Sequence, residues 1–475
     1  MNVSIKNSLI TNTASRSVAD LSTRLISAFY WILIVRYLGA EGLGALVFNL
    51  ALLNVFTTFS TMGLGALIIR DVSKDFSRAS EYLGHSLLLG TLFAGVLGVL
   101  MYISSAFMSI EGETRSLTLI FALALPFVSG FYWCKSLLWA AEKLSRVALV
   151  NVIESVFKVT AGSILLILGY GLVQIALVIL FSKIIAFLLN YYFVLRICKP
   201  RFTIHFATIG YFLKHIPVFS ASNILYNIFQ SATVLILTSL KGEAQAGIFS
   251  AAYKIVDLFL SFAHAYGQAL FPIVSRHFQE GIELVKKLVS RSVIYIFVLF
   301  MGITAIFFAL SEEILGFLYG SELMNISTVF NILIFSLLFL SLRPVLVYIL
   351  VARHYEKYDL LANAVSTLFL LISSFIFINL WGTIGAAIAF LSSSVIAFMI
   401  DFITLYRYVF PLEIFRDVFK VVTAAVMMFC IIFLFRNMNV YIGTILSIAF
   451  YSFFIWITHT LDEINYLCKE IRLLE

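Results

Sequence analysis

The sequence predicts an all-α integral membrane protein of about fourteen transmembrane helices, built as two parallel-repeat six-helix lobes with a C-terminal helix pair. Three observations predict it: an apolar composition, a train of apolar runs of spanning length, and an internal repeat. Of the 475 residues, 62% are hydrophobic and 12% charged, and the mean hydropathy is +1.03. A soluble globular chain carries about 25% charged residues, and water could not be kept from this much apolar surface. With roughly 20 apolar residues needed per span, the chain has room for about twelve to fourteen helices and little else.

Apolar runs separated by polar clusters place the spans at 12–35, 44–68, 84–107, 117–140, 151–169, 172–195, 217–240, 247–274, 293–310, 327–352, 362–380, 383–405, 419–436 and 441–458. The first is continuously apolar only from Leu25 to Val35, and the last two are separated by the Asn437 to Val440 turn alone. The opening MNVSIKNSLITNTASR has neither an early apolar core nor a small-residue cleavage site, so it reads as part of the mature chain.

Basic residues fix the orientation, since loops rich in Lys and Arg stay cytoplasmic. Loops on the side of the N-terminus hold 22 Lys and Arg, those on the other side hold 4 (Arg36, Arg115, Lys241 and Arg436), and 6 lie within spans. Both ends are therefore expected in the cytoplasm. The net charge of +7 is a topology signal and implies no nucleic-acid partner.

The repeat is visible at two offsets. Shifting span 1 by 203 residues pairs Ser17 with Ser220, Asp20 with Asn223, Arg24 with Asn227, Ser27 with Gln230 and Gly44 with Gly247. Shifting GLVQIALVILFSKIIAFLLNYYFV by 211 lays it over GTIGAAIAFLSSSVIAFMIDFITL. Six spans per unit preserve orientation, so the repeat is parallel, about an axis along the membrane normal. It predicts an N-lobe at 1–196, a basic amphipathic cytoplasmic linker at 197–216, a C-lobe at 217–406, and spans 13 and 14 with the tail at 407–475.

Charges in hydrocarbon cost several kcal/mol and are candidates for function. Here they are Arg24, Lys135, Lys158, Lys183, Lys254 and Arg343 against Asp20, Glu154, Asp257 and Asp401, a basic excess. Ser17, Asp20, Arg24, Ser27 and Trp31 share one helical face, and Ser220, Asn223, Asn227 and Gln230 form a matching stripe on span 7. Two such stripes can line a wet cleft, or can glue neighbouring helices. Arg24 and Lys183 lie deepest and read as cavity-lining. Arg343, Lys135 and Lys158 divide between a cavity and snorkelling to the headgroups. Lys254 and Asp257 read as a mutual ion pair, while Asp20 and Asp257 are candidates for a coupling ion. Glu154 and Asp401 read as solvated at inner span ends, and His85 and His264 as packing residues. Pro126, Pro272 and Pro344 fall inside spans, where they permit bending. Cys134, Cys198, Cys430 and Cys468 are scattered, so neither a disulfide framework nor a metal site is predicted, and no cofactor is implied.

The segment VRYLGAEGLGALVFNLALLNVFTTFSTMGLGALIIRDVSKD, Val35 to Asp75, resembles the start of polysaccharide exporters in the multidrug/oligosaccharidyl-lipid/polysaccharide superfamily. Leu38, Gly39, Glu41 and Gly44 match an LGxExxG outer turn, and Arg70 with Asp71 matches the exit of the second span. With two six-helix lobes, an extra last pair and the GTIGAAIA turn, the resemblance spans essentially the whole chain. It implies a MATE-like fold and an O-antigen-type (Wzx-like) flippase carrying an undecaprenyl-pyrophosphate-linked oligosaccharide across the bacterial inner membrane. It also implies a cationic cavity in which Arg24 matches a basic position, and pathway partners such as a polymerase and a chain-length regulator. Arg and Lys suit a pyrophosphate. A drug exporter would need acidic residues for cations, which the basic excess disfavours. A lipid II flippase shares fold and charge and stays open, whereas a membrane O-antigen polymerase would carry large outer loops, and the longest here is Ser311 to Ile326.

Overall fold

The computed structural model describes residues 3–107, 112–202, 206–278, 281–320, 326–436 and 440–458, without the side chains of 3–25, 206–209, 213–220 and 440. Among these residues there is no strand, and fifteen α-helices follow one another. They are α1 (Val3–Thr61), α2 (Leu64–Lys74), α3 (Ala79–His85), α4 (Thr91–Phe107), α5 (Gly112–Ala140), α6 (Leu144–Ile167), α7 (Leu172–Leu195) and α8 (Phe206–Lys241). Then come α9 (Glu243–His277), α10 (Ile282–Ala309), α11 (Ser311–Tyr319), α12 (Ile326–Ala352), α13 (Glu356–Tyr408), α14 (Phe415–Phe435) and α15 (Val440–Ile457).

Two helices are double. Gly39 in α1 (φ 66°) and Gly382 in α13 (φ 58°) leave the helical region, and only glycine enters left-handed backbone there without steric cost. Eleven helices among the described residues are long and apolar enough to cross a membrane, α1 and α13 among them, and α15 adds a shorter apolar one. Counting the second halves of α1 and α13, fourteen segments answer the fourteen predicted runs.

Helix edges differ from hydropathy edges mostly on the basic side. α6 begins at Leu144 rather than 151, α8 at Phe206 rather than 217, and α10 at Ile282 rather than 293. Lys, Arg and Glu are good helix formers, so a helix continues after its apolar run has ended. The second half of the predicted linker is thus the first turns of α8. The predicted 44–68 run is instead interrupted, because Met62 (φ 44°) and Gly63 (φ 66°) separate α1 from α2. α11 occupies the first part of the longest predicted outer connection, Ser311 to Ile326.

Contacts gather the chain into two units, Met1–Leu258 with Thr367–Ala386, and Phe259–Ser366 with Ala387–Glu475. The first is centred on fully buried Trp133, packed with Leu67, Ile68, Leu83 and Leu138. Its α4 turns Leu92, Val96, Val99 and Ile103 outward, as a lipid-facing helix must. In the second, α10, α14 and α15 close around Val421, Ala425, Met428 and Tyr451, whose hydroxyl donates to the Val298 carbonyl at 2.7 Å.

The repeat survives in backbone detail. Gly242 (φ 86°) stands 203 positions after the Gly39 break (φ 66°). A Cβ on Gly44 would be driven into the Glu243 carbonyl, and a Cβ on Gly247 into the Ala40 carbonyl. Those four positions obey the same offset, so the contact is reciprocal.

Candidate functional site

In the first unit α6 and α7 bring a pair of opposite charges together. Lys183 Nζ donates to Glu154 Oε1 at 2.6 Å, with the two side chains 29% and 10% exposed. Glu154 is therefore not a solvated residue at a span end. The extra helical turns before residue 151 put it ten positions inside α6, about 15 Å along the axis, where a carboxylate persists only with a partner. Lys158 lies one turn further on the same face, half-buried, and forms no ion pair among the described residues.

Lys254 on α9 lies over the Trp31 ring at 4.7 Å from its centroid. It makes no ion pair with Asp257, contrary to the sequence expectation; the electron-rich ring takes the cation instead. Lys135 on α5 is set among Phe131, Tyr132 and Trp139, at 5.8, 5.7 and 5.6 Å from their centroids. Asp257 is half-buried on α9. The side chains of Asp20, Arg24 and Ser220 lie outside the described residues.

Asn223 and Asn227 face a cavity of about 230 Å³. It is also lined by Asn54, Thr57 and Thr61 from α1 and by Ser136 from α5. Asn227 Nδ2 donates to the Asn223 carbonyl at 2.9 Å, and Asn54 Nδ2 to Ser231 Oγ at 3.0 Å. Gln230, also on the predicted stripe, accepts from the Tyr253 hydroxyl at 3.1 Å. The polar stripe on span 7 thus faces a cavity at Asn223 and Asn227 and a neighbouring helix at Gln230. The stripe on span 2 was missed, although Asn54, Thr57, Thr58 and Thr61 follow the same three- and four-residue spacing in an otherwise apolar run.

Arg343 belongs to the second unit. Its Nε donates to Asp401 Oδ2 at 2.7 Å, and its Nη2 to Asn363 Oδ1 at 3.0 Å and Asp359 Oδ1 at 3.4 Å. Arg343 is 13% exposed and Asp401 fully buried. Two carboxylates and an amide engage the guanidinium, so it does not snorkel, and Asp401 is not solvated. α13 runs on to Tyr408, which leaves Asp401 two turns inside the helix.

On the basic side, the Arg70–Asp71 pair is a clamp. Arg70 donates from Nε to Asp71 at 2.8 Å and from Nη2 to the Tyr211 hydroxyl at 2.7 Å, and Tyr82 donates to Asp71 at 3.1 Å. It ties α2, α3 and the start of α8. Burial pulls the Asp71 carboxyl upward, but hydrogen bonds from Arg70, Tyr211 and Tyr82 outweigh it and hold the group below the usual carboxylate range. His85 is buried, its Nδ1 at 2.9 Å from the Glu81 carbonyl oxygen, as a packing residue would be.

The family model described as "Polysaccharide biosynthesis protein" matches residues 9–278, and the MatE model matches 219–376. No curated protein sequence matches the chain. Among solved structures, the lipid II flippase MurJ in an inward closed conformation superposes with a TM-score of 0.79 at 17% identity, over 94% of this chain and 98% of that one. An inward-facing multidrug resistance MATE family transporter of the MOP superfamily gives 0.65 at 15% identity, over 81% and 93%. A MOP superfamily transporter from Pyrococcus furiosus, whose binding pocket is described as reversed in polarity, gives 0.58 at 16% identity, over 84% and 94%. At these identities the likeness establishes the fold, which is that of the MurJ and MATE transporters.

Proposed function

The chain belongs to the polysaccharide biosynthesis protein family, and from that premise we propose that it is a flippase for an undecaprenyl-pyrophosphate-linked oligosaccharide of the O-antigen repeat-unit class. It carries this lipid-linked substrate across the bacterial inner membrane, from the cytoplasmic to the periplasmic leaflet, by alternating access of the two six-helix lobes. Both termini are cytoplasmic.

The observation that carries the reading is the cationic interior of the first unit. Lys135, Lys158, Lys183 and Lys254 outnumber the carboxylates of Glu154 and Asp257 within its described spans. A pyrophosphate offers charge-assisted hydrogen bonds to such groups, and low dielectric strengthens the attraction. Lys158 meets the headgroup first, Lys183 follows by exchanging Glu154 for it, and Arg24 completes the site from span 1. The isoprenoid tail stays in lipid. Arg343, saturated by its own partners, holds the second unit together rather than the substrate. Asp20 and Asp257 are the coupling-ion candidates.

The test is deletion of the gene. Loss of long-chain surface polysaccharide, with lipid-linked repeat units accumulating on the cytoplasmic face, supports the flippase if the wild-type protein restores export while Arg24→Ala and Lys183→Ala do not. Normal polysaccharide in both variants overturns the assignment. The likeness to MurJ favours lipid II as a second substrate reading; intact polysaccharide with failing peptidoglycan would choose it. Single lipid-linked units accumulating on the outer face would instead mean a polymerase.

A further inference from the structure

We propose that the ends of α6 and α7 on the basic side form a binding site for an anionic glycerophospholipid, with its phosphate on Arg196 and the neighbouring basic groups and its two acyl chains along the two helices. The site lies on the lipid-facing surface of the first unit and is independent of what the carrier transports.

Charge is concentrated there and unspent. Lys143 immediately precedes α6 and Arg146 is in its first turn, while Arg196 and Lys199 follow the end of α7, which packs against α6. The Arg146 guanidinium is 5.5 Å from the centroid of the Phe193 ring and that of Arg196 is 4.6 Å from the centroid of Tyr192. Those two rings are 5.6 Å apart, so the two helix ends carry their cations side by side. Among the described residues none of the four basic groups makes an ion pair, and the carboxylate next to them in the chain is the single one of exposed Glu142. Arg146 is half-buried with its Nη1 covered, whereas Lys143, Arg196 and Lys199 are exposed, so the outer three carry most of the headgroup contact. Arg196 donates from Nη2 to the Tyr192 hydroxyl and keeps its other N–H groups for phosphate oxygens.

Each arginine also heads a row of residues turned to the lipid. Steps of three and four from Arg146 reach Leu149, Ile153 and Val156, which are 51%, 38% and 44% exposed and share one face of α6. Steps of four back from Arg196 reach Tyr192 and Leu188 on α7, 47% and 53% exposed. Two adjacent apolar rows beneath one cationic head suit a lipid with two tails. An isoprenoid pyrophosphate has one tail and would fill one row. Basic clusters at helix ends attract anionic headgroups, and the ammonium of phosphatidylethanolamine would meet four cations.

The full-length protein, purified in detergent, is incubated with equal amounts of phosphatidylglycerol and phosphatidylethanolamine of matched acyl chains, and native mass spectrometry reads which lipid stays bound. Phosphatidylglycerol is expected to be preferred by about tenfold. Arg196→Gln with Lys199→Gln, both at exposed positions, should reduce that preference to about threefold or less. Lys143→Gln with Arg196→Gln draws on both helices and serves if the first variant does not purify. Arg353→Gln with Lys357→Gln removes the same charge from exposed positions at the α12–α13 junction and should leave the preference intact. Lysophosphatidylglycerol, with the same head and one tail, should bind more weakly than phosphatidylglycerol. Equal retention of the two phospholipids by the wild type, an unchanged preference in the Arg196 variants, or an equal loss in the Arg353 and Lys357 variant overturns the site. Equally tight binding of the one-tailed lipid overturns it as well. So does displacement of phosphatidylglycerol by undecaprenyl pyrophosphate, which would give the two rows to a lipid of the carrier class.

Discussion

At the scale of single residues, buried charge is the feature with the largest free-energy stakes. Asp401 has no exposed surface and one guanidinium to balance it. Removing one partner of a buried pair strands the other and costs about 3 to 5 kcal/mol, whereas replacing both by apolar groups is often neutral. Asp401→Asn is therefore expected to lower the thermal stability of the purified protein sharply, and Arg343→Met with Asp401→Leu to recover most of it. A double variant as unstable as the single one would mean that the pair does more than neutralise itself. Asp71 makes a second case, outside the membrane. Its folded-state carboxyl is held below the ordinary value of about 3.9, so the clamp contributes fully above pH 4 and is lost as pH falls through the folded value. The difference in melting temperature between wild type and Asp71→Asn should be flat from about pH 8 to 5 and shrink below about pH 4. A difference that grows on acidification would contradict this sign.

At the scale of elements, the glycine contact between α1 and α9 is a demanding join in the first unit. Gly44 lies against the Glu243 carbonyl and Gly247 against that of Ala40, so neither position accepts a Cβ without moving a backbone. Gly44→Ala and Gly247→Ala are each expected to abolish surface polysaccharide with the protein still in the membrane, and to similar extents because the contact is reciprocal. One tolerated and one inactive substitution would break the equivalence. The offset of 203 that relates these glycines is readable in the sequence, as are the fourteen apolar runs. What hydropathy could not reveal was where helices continue after their apolar stretch ends, and that is why Glu154 and Asp401 were mistaken for solvated groups. Side-chain competition was equally hidden, for spacing put Lys254 beside Asp257 while the tertiary fold put it on Trp31. The Asn54–Thr61 stripe was within reach, since its spacing is that of the stripe recognised on span 7. It went unread because threonines back-bonded to their own helix pass for apolar residues in a hydropathy profile.

At the scale of the whole molecule, the direction of transport follows from which face meets the cytoplasm, and only the loop charges bear on that. The asymmetry of 22 basic residues against 4 is far from chance scatter, and short loops of this kind obey the positive-inside rule. By that rule the clamp of Arg70, Asp71 and Tyr211 is expected on the cytoplasmic side, as is the start of α8, where Lys214 suits an anionic leaflet. A reporter active only outside the cytoplasm, inserted between residues 321 and 325 after α11, should therefore be active, while the same reporter inserted near residue 200 or fused after residue 458 should be silent. Activity at all three sites would mean that the reporter has disturbed insertion. The reversed pattern would invert the protein, place the lysine-rich unit with its loading face outward, and convert the proposed export of a lipid-linked sugar into uptake.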